Sequence, residues 1–177
     1  MKKALKIIGI IILVLVGVPL IVALFVKKDL AVEREITINK PKQEVFDYIV
    51  LLKNQDNFSY WAKQDPAMKK EFRGTDGTVG FVSAWESKKV GVGEQEIKAI
   101  VPGERVDYEL RFKEPYEATD FAFLTTEAVS ETQTKVKWGF SGKMKYPMNL
   151  MFLAGMENTL GDQLQGGLND LKKELEK

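Results

Sequence analysis

The sequence predicts an α+β fold: an antiparallel sheet of about seven strands covered by one long C-terminal helix, preceded by a transmembrane helix. Three observations carry this. Residues 7–26 read IIGIIILVLVGVPLIVALFV, with no charge. From about residue 68 to residue 145, segments alternate apolar and polar side chains and are separated by turn residues. From Met148 to Leu175, apolar residues recur in steps of four and then three.

The first apolar run spans about 20 residues, enough to cross ~30 Å of hydrocarbon. Lys2, Lys3 and Lys6 precede it, and Lys27 and Lys28 close it. A cleaved signal peptide would have a shorter apolar region ending at a small-x-small site, and VALFVKK offers no such site. A retained single-pass anchor over residues 1–28 is therefore expected, with one domain over residues 29–177. The three-lysine end, together with the amino terminus, predicts a cytoplasmic N-terminus and a domain on the extracytoplasmic side.

Only Asp29–Ala31 separate the anchor from the first strand signal, which places the domain against the membrane surface. Val32, Arg34, Ile36 and Ile38 alternate with Glu33, Glu35 and Thr37, the period of a strand. Asn39 and Pro41 open a helix whose apolar positions are Val45, Phe46, Ile49 and Leu52. A short helix or turn follows from Phe58 to Lys63. Strands are then expected at Met68–Arg73, Val79–Ser87, Val92–Val101, Arg105–Lys113, Glu117–Val129 and Lys135–Lys145. Gly74-Thr75-Asp76-Gly77 and Pro102-Gly103 provide turns between them. One-sided alternation, as in Val106, Tyr108, Leu110 and Phe112, belongs to an antiparallel sheet with one wet face. Met148 to Leu175 reads as a single helix of about 28 residues, ~42 Å long. Its apolar stripe is the available cover for the sheet. Gly166-Gly167 is the expected bend, if the helix bends at all.

Composition narrows the chemistry. The chain has no His and no Cys. Thiol nucleophiles, imidazole bases, Ser-His-Asp triads and the usual zinc sites are excluded, and no metal or other cofactor is expected. The five lysines of residues 1–28 leave 21 basic and 25 acidic side chains for the rest. A body of that charge lacks the continuous cationic surface a phosphate backbone requires, so nucleic acid is not an expected partner.

The element order, with VEREITINKPKQEVFDYI, WAKQDPAMKKEFRGTDGTVG, GVGEQEI, VPGERVDYEL and TKVKW, resembles the polyketide cyclase/dehydrase-like members of the START-like (SRPBCC) superfamily. The likeness covers the chain from about Val32 onward. It implies the helix-grip fold, in which a curved sheet wraps the C-terminal helix around an apolar cavity. It implies no shared catalytic residue. The anchor departs from the pattern and argues against a freely diffusing carrier.

On that reading, strand parity turns Phe81, Ser83, Trp85, Gln95, Ile97, Val106, Tyr108, Leu110, Phe112, Val136, Trp138 and Phe140 towards the helix. Met148, Phe152 and Met156 face them. The candidate ligand contacts are Ser83, Trp85, Gln95, Tyr108, Asp120, Trp138, Phe152 and Met156: large apolar faces with a few placed polar groups. Each aromatic has core packing as its alternative role. Asp120 depends on parity, because Phe121 and Phe123 would point inward in the other register. The expected partners are the bilayer, through the anchor, and a small hydrophobic molecule in the cavity. Alternatives are a cyclase- or dehydratase-type enzyme using Asp120, Tyr108 or Glu94 for proton transfer, and an adaptor domain with a solid core.

Overall fold

In the computed structural model, which describes residues 2–177, the alternating segments pair into one antiparallel sheet. Its strands are β1 (Asp29–Ile38), β2 (Lys69–Arg73), β3 (Val82–Ser87), β4 (Gly91–Val101), β5 (Arg105–Glu114), β6 (Ala118–Ser130) and β7 (Gln133–Lys143). The order across the sheet is β1-β7-β6-β5-β4-β3-β2. Between β1 and β2 come α2 (Lys42–Ile49), a 3-10 turn (Leu52–Asn54), α3 (Gln55–Phe58) and α4 (Tyr60–Gln64). The short helix expected at Phe58–Lys63 is α4, the last of three short pieces that run from Leu52 to Gln64. Each is too brief to show a helical period in the sequence.

The two faces sort as the alternation requires. Outward, Arg111 bonds Glu94, Glu96 and Glu109, and Arg73 bonds Glu94. Inward, the half of the sheet nearest the Ile38, Arg105 and Gln133 strand ends is packed solid. Ile38, Val45, Ile49, Val106, Leu124, Val136, Leu168 and Leu171 are all fully buried there. Strand β6 follows the parity that turns Asp120, Ala122 and Leu124 inward. Phe121 is half exposed, and Phe123 lies outside over Gly139, with the Arg105 guanidinium 4.1 Å from its ring centre.

The final helix is shorter than expected. Residues Met148–Phe152 form a 3-10 turn, and α5 proper runs Met156–Leu175, about 30 Å. The break falls at Gly155, whose φ of +81° a side chain would strain, and not at Gly166-Gly167. Gly167 instead lies beneath Trp138, whose ring a β-carbon there would meet at 2.7 Å.

Helix α1 (Lys2–Ala23) packs on the segment 148–152 and bonds the body near its C-terminal end, through the Leu20 and Ala23 carbonyls. Among its described side chains, Ala23 alone is buried. Its 18-residue segment Lys6–Ala23 is long and apolar enough to cross a membrane. The buried Asn149 amide donates to the carbonyls of Ala23 and Val26, at 2.7 and 3.0 Å. Those carbonyls belong to the helix end, where intrahelical donors run out.

Candidate functional site

The half of the sheet nearest α1 is hollow. A cavity of about 550 Å³ lies between the sheet, α3, α4 and the first half of α5. That is within the range of small-molecule sites. The register explains its place. Asp29 pairs with Lys143, Phe112 with Ala118, and Val92 with Glu114, so these strand ends share one edge of the sheet. The lining residues Leu30, Asp120, Phe112 and Lys143 all belong to this end.

Six of the eight candidate contacts line the cavity: Ser83, Trp85, Gln95, Asp120, Trp138 and Met156. Two do not. The Tyr108 ring is buried in the solid half, where its hydroxyl donates to the Ile49 carbonyl at 3.3 Å. Burial raises the pKa of that phenol. Phe152 is drawn to the junction with α1, where the Lys27 ammonium stands 5.0 Å above its ring. The break at Gly155 explains this, since Phe152 no longer follows the stripe of α5. Met148 lies on the same 3-10 turn and is likewise absent from the wall.

Several wall residues escaped the sequence reading. Gln55, Ser59, Trp61 and Ala62 come from the short helices, and Gln163 from α5. The aromatic run Phe58, Tyr60, Trp61 was the available signal. Trp138 meets the Phe58 ring at 5.6 Å and the Trp61 ring at 6.2 Å, both edge-on, and so ties that wall to β7. On the opposite flank the Trp85 ring lies across Gly93 to meet Phe112 at 5.9 Å. A β-carbon at Gly93 would come within 2.6 Å of that ring.

The walls are mostly apolar, with isolated polar groups. Trp85 Nε1 and Gln55 Nε2 are buried without a hydrogen-bonding partner in the protein. Such donors are costly to bury unmatched. Asp120 reaches over Gly142, where any side chain would overlap its carboxylate. Burial raises its pKa above the ordinary 3.8, partly opposed by a bond from the Lys143 amide. Of the acid–base candidates Asp120, Tyr108 and Glu94, only Asp120 lines the cavity. Glu94 is on the outer face, its pKa lowered by the Arg73 and Arg111 guanidiniums. The three do not converge, and of them only Asp120 is placed to hold or release a proton in the cavity.

The Asp120 shift has a stability consequence. Well below pH 4 the residue is largely neutral in both folded and unfolded chains. As pH rises, the unfolded chain ionises first and the fold loses stability until Asp120 itself ionises. Asp120→Asn is therefore expected to raise the melting temperature of the full chain in detergent at pH 8, with the gain vanishing near pH 3. A gain of equal size at both pH values would contradict the assignment.

Neither a family model nor a curated protein sequence matches the chain. Solved structures do. The crystal structure of Ara h 8.0201 aligns with a TM-score of 0.57 at 17% identity, over 83% of this chain and 97% of that one. An uncharacterised protein from Bacillus thuringiensis aligns with a TM-score of 0.61 at 11% identity, over 83% and 99%. XoxI from Bacillus cereus aligns at 0.61 and 12%, over 82% and 95%. At such identities the likeness speaks for architecture, and with the sheet and closing helix described above it settles one point. The chain has the helix-grip fold, with an apolar helix added at its N-terminus.

Proposed function

We propose that α1 holds this chain in a membrane and that the cavity binds a small apolar or amphipathic, lipid-like molecule. One observation carries the reading: a cavity of about 550 Å³ with mostly apolar walls, among them Trp85, Leu110, Phe112, Trp138 and Phe140. An acyl or isoprenoid chain would cover the apolar wall. The resemblance to polyketide cyclase/dehydrase-like proteins bears on architecture.

The test uses the full chain purified in mild detergent. Native mass spectrometry is expected to find a co-purifying lipid-sized mass, and parinaric acid is expected to bind and be displaced by that extract. Ser83→Phe places a ring in the cavity, beside Gln95 and Trp85. It is expected to lower parinaric acid affinity by an order of magnitude or more while leaving the melting temperature unchanged or raised. A wild-type chain that carries no ligand and binds no probe would sink the proposal.

A further inference from the structure

The segment between β7 and α5 has two outer neighbours, α1 on one side and the cavity on the other. We infer that residues 146–154 form a lip immersed in the interfacial layer of the bilayer, so that the cavity opens against lipid and not against water. The inference rests on the proposed function, because it takes α1 as the membrane span.

The first observation is depth. The Tyr146 hydroxyl donates to the Leu20 carbonyl at 3.3 Å, and Asn149 donates to those of Ala23 and Val26. Leu20 stands about 5 Å along the axis from Ala23, where α1 ends, and Lys27 lies beyond the turn that follows. With Lys27 and Lys28 at the headgroups, the lip lies where interfacial segments bury their apolar side, about 5–10 Å below. Its attachment is firm: Asn149 is fully buried, the Met144 amide bonds the Lys28 carbonyl at 2.8 Å, and Lys27 pairs with Glu157 at 2.8 Å.

The second is what the lip shows to the outside. Tyr146, Met151 and Leu153 are exposed, as are Phe25 and Tyr116 at the same end of the body. Lys28, Lys88, Lys89, Lys113, Lys143 and Lys145 are exposed at the same end, alongside the exposed acids Asp29, Glu86, Glu114 and Glu117, of which Asp29 pairs with Lys143 at 3.6 Å. Aromatic and apolar tips among lysines match an interface with anionic headgroups.

The third is the mouth. Of the cavity-lining residues, only Asp56, Lys143, Met151, Ala154 and Thr159 are exposed. Asp56 is tied across to Lys70. The other four ring the lip and the first turn of α5, so the cavity reaches the surface at the membrane side.

Because the chain has no cysteine, single labels report on single sites. Full chains carrying Leu153→Cys, Met151→Cys, Glu131→Cys or Leu13→Cys are labelled with a small fluorophore. They are then reconstituted in phosphatidylcholine–phosphatidylglycerol vesicles, with the labelled body facing the bulk solution. Labels at positions 153 and 151 are expected to be quenched by doxyl-labelled lipid. Their iodide quenching should be several-fold weaker than at position 131, in the turn between β6 and β7 at the opposite end. Lipid quenching at position 13 with iodide access at 151 and 153 would overturn the lip and leave the anchor standing. Loss of lipid quenching at position 13 would overturn the anchor itself, and the lip with it.

Discussion

Replacing Trp138 with Ala is expected to destabilise the fold by about 3 kcal/mol, the lower end of what a buried Trp or Phe loses. The residue is only 4% exposed and holds three elements together. Its ring meets Phe58 and Trp61, and its edge fits the gap left by Gly167 on α5. The low end applies because Trp138 also lines the cavity, so one face already lacks packed neighbours. Removal merges the vacated space with that cavity. Thermal unfolding of the full chain in detergent measures the loss. A parinaric acid titration should show binding retained or weakened far less than in Ser83→Phe. A loss below about 1 kcal/mol would mean that the α3–α4 wall is held by something other than this aromatic cluster.

Gly91→Ala is expected to cost more than its size suggests, about 3 kcal/mol or above. Gly91 has a φ of +89°, a conformation that strains a side chain by about 1–3 kcal/mol. A methyl group there would also overlap the Glu114 carbonyl and crowd Pro115, adding an overpacking cost of about 1–3 kcal/mol. The site starts β4 just before the register shift at Val92 and Gly93, at the end of the sheet that holds the cavity. The same exchange at Gly166 has the opposite expected sign. A β-carbon there meets nothing within 4 Å, and Ala exceeds Gly in helix propensity by about 1 kcal/mol. Measured side by side in the full chain, the two variants should move the melting temperature in opposite directions. Equal shifts would refute the account of Gly91.

The strands and their faces were legible because alternation at period two is a local property of the chain. Val106 and Tyr108 of β5 and Val136 and Trp138 of β7 are buried where parity placed them. The three short pieces between α2 and β2 were not legible as such, since three to five residues carry no helical period. The continuous helix from Met148 failed at Gly155, one residue whose positive φ leaves no mark on the hydrophobic spacing around it. That error moved Phe152 from the wall to the anchor junction. Tyr108 was misplaced for another reason. It has the right parity but lies towards the solid end of the sheet, and parity gives a face without giving a height along it.

What the chain's own pattern determined is the class of fold, the inward face and an N-terminal helix of membrane-spanning length. Each follows from residue spacing or from the sum of side-chain hydropathies, which no distant contact can change. Tertiary structure alone decided where the interior is solid and where it is hollow. It also decided that Asn149 closes the end of α1 and that Met151 and Ala154 stand at the mouth. Those outcomes depend on which volumes meet across the sheet and α5, and residues far apart in sequence share no local signal of meeting.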